Sequence, residues 1–332
     1  MYSDRLKSLK GSKILITGGA GMIGSTIALF AVSHGAQVTI LDALLPLYGG
    51  NLFNLKNIKD DITFIKGDIR DKKLVKKLVK NQDIIFDMAA QVSYIDSAKD
   101  PYLDLDINCF GHLNILEACR YNNPEVKIIF PSSRFVYGTI EYSPVDENHP
   151  FNCLSIYGIH KLAVEKYLVF YHQYYGMSTV IFRIANPYGP RQQMKHSKYG
   201  IVNWFIRTAM EGKDLTIFGE GSQMRDYIYV KDLVQAMLLA AVDEELKHEI
   251  FNIGSGKSIS FRTMVETVAR IVNKGKVVFL PWPDDYAFTE SGDYLSNISK
   301  IKQRLRWEPR TDFETGVQET VQYYQHYRDK YW

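Results

Sequence analysis

Tyr157 and Lys161 stand four residues apart, the spacing that puts two side chains on one face of a helix. A free phenol titrates near about pH 10 and is a poor base at neutral pH. A neighbouring ammonium and the positive ring of an oxidised nicotinamide both favour its phenolate form. Ser133, at the end of an apolar run that reads as a strand, is placed to donate a hydrogen bond to a reacting hydroxyl and orient it for proton transfer. Base, activating cation and orienting hydroxyl together describe removal of a proton from an alcohol, and Lys161 can in addition hold the ribose of a nicotinamide.

A partner for that chemistry is written near the start, in Gly18-x-x-Gly21-x-x-Gly24. Lys13 to Thr17 reads as a short buried strand and Met22 to Val32 as the following helix, with the glycines in the turn between them. Gly18 permits the tight turn, Gly21 lets the backbone approach a pyrophosphate, and Gly24 allows close helix-strand packing. Met22 and Ile23 open the helix whose N-terminus then faces the phosphates. A second strand, Gln37 to Leu41, ends in Asp42. That carboxylate can accept from the hydroxyls of an adenosine ribose and would repel a 2'-phosphate, so the expected cofactor is NAD.

These groups require a particular scaffold. Short apolar segments at Ile62–Ile65, Ile84–Met88, Lys127–Phe130 and Thr179–Ile184 alternate with helix-length stretches such as Tyr102–Arg120 and Tyr157–Tyr175. The alternation predicts an α/β fold with a doubly wound parallel (Rossmann) sheet. Ligands of such sheets lie at the carboxyl ends of the strands. Asp68 and Ile69 follow the third strand and are expected at the adenine, while Ala89 and Ala90 follow the fourth, where small side chains let the cofactor pass. The turn Asn186-Pro187-Tyr188-Gly189-Pro190-Arg191 after the sixth marks the exit from the cofactor domain. Residues 1–185 are therefore assigned to NAD binding. Residues 186–332 are assigned mainly to a smaller, partly interleaved C-terminal α/β substrate lobe containing helices at Leu233–Val242 and Thr263–Val272, some of whose segments could return to the first domain.

Composition narrows the class. A formal charge of +3 is too small a surplus for a nucleic-acid protein. The basic run Lys72–Lys80 carries Leu and Val at helical spacing and reads as a solvated amphipathic helix. Cys109, Cys119 and Cys153 are odd in number and widely spaced, which indicates neither a disulfide framework nor a metal site. The polar N-terminus lacks the apolar core of a signal peptide and no stretch approaches the roughly 18 apolar residues of a membrane span. A cytoplasmic enzyme is the expectation.

TGGAGMIG at 17–24, SSRFVYG at 132–138, YGIHK at 157–161, NPYGPRQ at 186–192 and RDYIYVKDL at 225–233 resemble the extended short-chain dehydrogenase/reductase family, and within it the NAD-dependent nucleotide-sugar epimerases and dehydratases. The resemblance covers nearly the whole chain. It implies a catalytic set of Ser133, Tyr157 and Lys161, NAD held by Gly18, Gly21, Gly24, Asp42, Asp68 and Ile69, and a nucleotide-diphosphate sugar contacted by Asn186 and Arg225. It also implies a homodimer paired through the helices that contain Asn108 and Tyr157.

Members that dehydrate a nucleotide-hexose carry an Asp-Glu pair directly after the hydroxyl residue, where this chain has Arg134 and Phe135. A 4-epimerase needs only the tyrosine and the cofactor, and is the favoured reading. A 2-epimerase, a decarboxylase of a nucleotide-hexuronate and, in another class, a nonenzymatic NAD-binding regulator stay open. Two departures remain. Related epimerases place an arginine before the acidic segment of the terminal lobe, but Val277–Ser299 holds no Lys or Arg and carries Asp284, Asp285, Glu290 and Asp293. Arg191 and Arg225 are the candidates to supply the missing charge. Asp87 stands where relatives often carry histidine.

Overall fold

The structure, a computed structural model, describes residues 2–46, 48–198, 200–282 and 292–332. Strands β1 (Lys13–Thr17), β2 (Gln37–Asp42), β3 (Ile62–Lys66), β4 (Ile84–Asp87), β5 (Lys127–Ser133) and β6 (Ser178–Ile184) form one sheet in the order 3-2-1-4-5-6. Every neighbouring pair is parallel. The odd and even residues of each strand serve different cores. Ile14 and Ile16 of β1 and Ile129 of β5 face the helices Met22–Ser33 and Val230–Val242, while Leu15, Ile128 and Phe130 face Lys72–Leu78, His112–Asn122 and Ile156–Tyr175. That is the two-residue period of a strand covered on both sides.

The chain leaves the sheet through β7 (Asn186–Tyr188), and builds β8 (Leu215–Phe218) and β9 (Met224–Tyr229) in a second lobe. It then returns, since β10 (His248–Ile253) pairs in parallel with β6 as the seventh strand of the main sheet. The lobe is completed by β11 (Ser258–Ser260) in a three-stranded sheet ordered β11-β9-β7, and by β12 (Val277–Leu280) paired with β8. Its separate core gathers Tyr188, Phe205, Ile206, Tyr227, Met264 and Val317.

Apart from ends shifted by up to three residues elsewhere, two elements differ from the sequence expectation. The strand predicted to stop at Phe130 continues through Pro131 to Ser133, because Pro131 to Ser133 keep register with Phe182 to Ile184 of β6. The single helix expected over Tyr102–Arg120 is two helices, Pro101–Leu105 and His112–Asn122, joined by a wider π-helical turn at Asp106–Gly111. Asn108 lies within that turn, where its amide donates to the Gln91 carbonyl at 2.7 Å and to Asp104 at 3.0 Å. These buried bonds to partners outside the local ladder favour the interrupted helix.

Candidate active site

A cavity of about 720 Å³ runs from the β1–helix turn across the carboxyl ends of β4 and β5 and into the second lobe. At one end the glycine turn closes tightly. Gly18 has φ +61°, and a Cβ there would lie 2.8 Å from the Ala89 nitrogen and the Met88 carbonyl. A Cβ on Gly24 would stand 2.5 Å from the Gly18 carbonyl, so the helix meets the strand only without a side chain. Gly21 caps the helix Met22–Ser33 with no side-chain hydrogen bond to its first turn. The first turn of this twelve-residue helix, Met22 to Gly24, lines the cavity without a capping side chain from Gly21, the arrangement that receives a phosphate.

Asp42 ends β2 at the cavity wall. Its Oδ2 accepts from the Ala20 N–H at 2.9 Å and its Oδ1 from the Leu44 N–H at 2.8 Å. Burial pushes this carboxyl up, against the two backbone donors. Each oxygen keeps a lone pair for a hydroxyl of a ligand. Asp68 is gripped by Arg70 through Nε at 3.0 Å and a second nitrogen at 2.7 Å. Partial burial raises the Asp68 carboxyl, but these contacts prevail and hold it below its ordinary range. Met22, Ile23, Asp68, Ile69, Ala89 and Ala90 all line the same cavity. The glycine cradle, uncapped helix end and terminal carboxylate fit a dinucleotide.

Ser133, Tyr157 and Lys161 meet at the middle of the cavity. Ser133 closes β5, and its hydroxyl accepts from the Phe135 N–H at 3.3 Å. Ser155 caps the helix Ile156–Tyr175 by accepting from the Gly158 N–H at 3.1 Å, which fixes where the helix starts and so where Tyr157 projects. Tyr157 is 8% exposed, its N–H donates to Ser97 Oγ at 3.1 Å, and Phe135 packs edge-on at 5.9 Å. Lys161 is 1% exposed; its Nζ donates to the Pro131 carbonyl at 3.1 Å and lies 5.9 Å from the Tyr157 ring centre.

The electrostatics correct one expectation. Burial drives the Tyr157 phenol well above its ordinary value, the Asp104 carboxylate adds to this, and the Ser133 hydroxyl opposes it. The Lys161 ammonium is itself lowered to about 8 by burial, against the pull of Asp87 and Asp104, so the net effect on the ligand-free phenol is upward. Without ligand the tyrosine is a protonated phenol beside a cation of lowered proton affinity.

Asp87 has a structural explanation. Its carboxylate accepts from Thr17 Oγ1 at 2.8 Å and contacts His112 Nδ1 at 2.7 Å, while Thr17 Oγ1 accepts from the Ala89 N–H at 3.0 Å. It ties β1 to β4 beside the glycine turn and supplies negative charge near Lys161. A second buried set, Glu165 with Arg183 at 2.8 Å, Ser132 hydrogen-bonded to Glu165, and Arg183 with Tyr137 at 3.0 Å, locks the Tyr157 helix to β5 and β6.

On the lobe side, Asn186 donates to the Asp226 carbonyl at 2.8 Å, and Arg225 donates to the Met224 and Gly292 carbonyls at 2.8 and 2.9 Å. Both line the cavity. Arg191 does not line it: with φ +74° its guanidinium lies 5.6 Å from the Tyr323 ring on the C-terminal helix. Asp284, Asp285 and Glu290 lie outside the described residues. Asp293 accepts from the Met224 N–H at 2.8 Å. The sequence reading passed over Tyr227 and Gln193, which are buried and line the cavity; the Tyr227 hydroxyl and Gln193 Nε2 find no partner among the described residues. For Tyr227 a signal was present, since residues two apart on a strand share a face and Arg225 lines the cavity. No group of three or more residues that could hold a metal ion occurs among the described residues.

A parallel sheet of order 3-2-1-4-5-6 with its crevice at the switch between β1 and β4 defines a Rossmann-type dinucleotide-binding protein. Comparison refines the class: the family model described as GDP-mannose 4,6 dehydratase matches residues 15–320. The chain belongs to the extended short-chain dehydrogenase/reductase family of NAD-dependent nucleotide-sugar epimerases and dehydratases. It is 36% identical over 313 residues, 93% of its length and 97% of the relative's, to a putative UDP-glucose 4-epimerase of Methanocaldococcus jannaschii. An epimerase structure from Methanothermobacter thermautotrophicus superposes with TM-score 0.91 at 29% identity, covering 99% of this chain and 96% of that one. A UDP-glucose 4-epimerase of Thermus thermophilus, solved in complex with NAD, gives 0.84 at 31% identity over 95% and 99% of the two chains.

Proposed function

We propose that this chain is an NAD-dependent nucleotide-sugar 4-epimerase of the UDP-glucose/UDP-galactose type. The observation that carries the reading is the convergence of Ser133, Tyr157 and Lys161 on one cavity, beside Arg134 and Phe135 in its wall, neither of which is an acid or base at neutral pH. Bound along the glycine turn and Asp42, NAD supplies a reversible hydride acceptor for a carbinol carbon. Tyr157 takes the hydroxyl proton and gives it back. Ser133 orients that hydroxyl, and the Lys161 charge favours the phenolate once the high proton affinity of the buried phenol has to be overcome. Phe135 and Tyr94, stacked at 5.3 Å, help keep water from the reacting end.

Arg225 and Tyr227, two apart on β9, are assigned to the diphosphate, with the Tyr227 hydroxyl as a donor whose partner is the ligand. Asn186 joins them. Exposed Tyr102 (80%), Leu105, Phe110, Ile159, Phe170 and Tyr174 on the helices flanking Asn108 and Tyr157 support pairing with a second copy, which sedimentation would detect as a dimer. Among the described residues no helix is long and apolar enough to cross a membrane.

The test is product NMR with substrate deuterated at carbon 4. Inversion at that carbon with the deuterium kept is the expected result. Exchange with solvent hydrogen would indicate enolisation, and absence of turnover with bound NAD would favour a regulator.

A further inference from the structure

Ala20, inside the glycine turn, is tied on both sides. Its N–H donates to Asp42 at 2.9 Å, and its carbonyl accepts from the Asn51 N–H at 3.1 Å and from the Asn54 side chain at 2.8 Å. The same Asn54 amide nitrogen donates to the Arg191 carbonyl at 3.0 Å, and the amide oxygen accepts from the Tyr331 hydroxyl. Asn51 donates to the Lys330 carbonyl at 2.9 Å. One buried amide, with both donors and its oxygen engaged, therefore joins three distant segments: the glycine turn, the turn that leads into the lobe, and the residues after the last helix, Phe313–Tyr327. Arg191, whose guanidinium does not reach the cavity, contributes its backbone carbonyl to this junction.

The neighbours of the junction are cavity wall. Leu45, Tyr48, Gly49 and Gly50, which precede Asn51, line the cavity on the Asp42 side, and a Cβ on Gly50 would stand 2.7 Å from Asp42 Oδ1, so this stretch lies against the carboxylate. Gln192 and Gln193, which follow Arg191, line it on the lobe side. The C-terminal segment grips both. Tyr324 donates to the Gln192 carbonyl at 2.8 Å, and Phe53 packs edge-on against Tyr327 and Tyr331 at 5.3 and 6.0 Å. The Tyr331 hydroxyl gives its hydrogen to Asn54 and accepts one from Tyr323 at 2.6 Å, which fixes its direction. A dinucleotide along the glycine turn, with a ribose on Asp42, is flanked by both walls, and they must part for it to leave. Because folding already fixes them, ordering the walls is no cost of binding, whereas parting them breaks hydrogen bonds between buried groups. A reaction that reduces and reoxidises NAD within one site requires such retention.

We propose that Asn54 and Tyr331 are positioning residues that retain NAD, by holding the Asp42-side wall and the lobe-side wall of the cavity together so that the cofactor leaves slowly. The inference rests on NAD binding along the glycine turn and Asp42, and not on which sugar is turned over.

The experiment fills the full-length protein with radiolabelled NAD and follows the label released into an excess of unlabelled NAD, with thermal melting recorded on the same samples. Tyr331→Phe keeps the ring on Phe53 and removes only the hydroxyl. Release should quicken about three- to tenfold, the worth of one buried hydrogen bond. Asn54→Ala cuts all three links and should quicken it further. Asp312→Ala serves as the control: Asp312 caps the far end of the same helix by accepting from the Thr315 N–H at 2.9 Å, so its loss lowers stability without touching the junction, and NAD should leave at the wild-type rate. Release at the wild-type rate from Tyr331→Phe or from folded Asn54→Ala overturns the proposal. So does an Asp312→Ala protein that releases NAD as fast as Tyr331→Phe, which would leave Tyr331 a contribution to general stability alone. A wild type that takes up no NAD removes the cofactor assignment and the clamp together, whereas wild type and variants that hold NAD with one common release rate remove the clamp and leave the assignment standing.

Discussion

Replacing Tyr157 by phenylalanine deletes one oxygen at the centre of the proposed mechanism and leaves the ring in place. The ring's contacts are with Phe135 at 5.9 Å and Lys161, and the backbone bond to Ser97 does not involve the side chain. What the fold loses is at most one hydrogen bond of a buried hydroxyl, and Ser133 still accepts from the Phe135 N–H at 3.3 Å. A neutral hydrogen bond contributes about 0.5 to 1.5 kcal/mol net, and removal of a buried hydroxyl also recovers desolvation, so stability should change by no more than about 1 kcal/mol. A positioned general base is worth about 10² to 10⁴ in rate, or about 2.7 to 5.5 kcal/mol of activation free energy. The chemical effect exceeds the structural one and the two can be read apart. Conversion of UDP-glucose to UDP-galactose would be followed beside thermal melting and NAD content. Turnover should fall by at least about a hundredfold with melting and NAD content near wild type. A fall of less than about tenfold in a normally folded, NAD-loaded variant would refute Tyr157 as the proton-transfer group.

Asp42→Ala should narrow the preference for NAD over NADP, chiefly by weakening NAD, and titration with both cofactors checks it; equal affinities in the wild type would contradict the assignment. Arg225→Ala should weaken UDP binding by roughly ten- to a hundredfold, the loss of a charge-assisted contact of about 1.5 to 3 kcal/mol, readable by calorimetry. Lys161 has its folded pKa depressed from 10.5 to about 8 by burial. Below about 8 the folded and unfolded chains both carry the proton and the cost of burying it is fully present, whereas between about 8 and 10.5 the unfolded chain binds more protons and stability rises with pH. Lys161→Met should therefore melt no lower than wild type near neutral pH and lack that alkaline rise, yet lose turnover and retain NAD less well. In the wild type, kcat/KM should decline as pH passes about 8 and the ammonium is lost.

Local patterns carried much of this protein. The glycine spacing, the strand before it and the helix after it describe one continuous segment whose conformation is set by which residues tolerate a tight turn. Alternating apolar runs carried the parallel sheet, and the i, i+4 spacing of Tyr157 and Lys161 carried their common face, because both depend only on the period of the backbone.

Long-range placement decided the rest. Nothing near His248 announces that β10 will pair with β6, a contact made across more than sixty residues by filling the free edge of the sheet. Arg191 and Arg225 look equivalent as phosphate-binding cations, yet a backbone at φ +74° turns the first toward Tyr323 while β9 brings the second to the cavity. Asp87 had no local explanation because its partners, Thr17 and His112, come from β1 and from a helix beyond the π-helical turn. The Tyr157–Lys161 pair shows the division most clearly. Sequence determined that phenol and ammonium lie near each other. Only the packed structure decided that burial would raise the first proton affinity and lower the second, because desolvation depends on everything that surrounds a group and not on its neighbours in the chain.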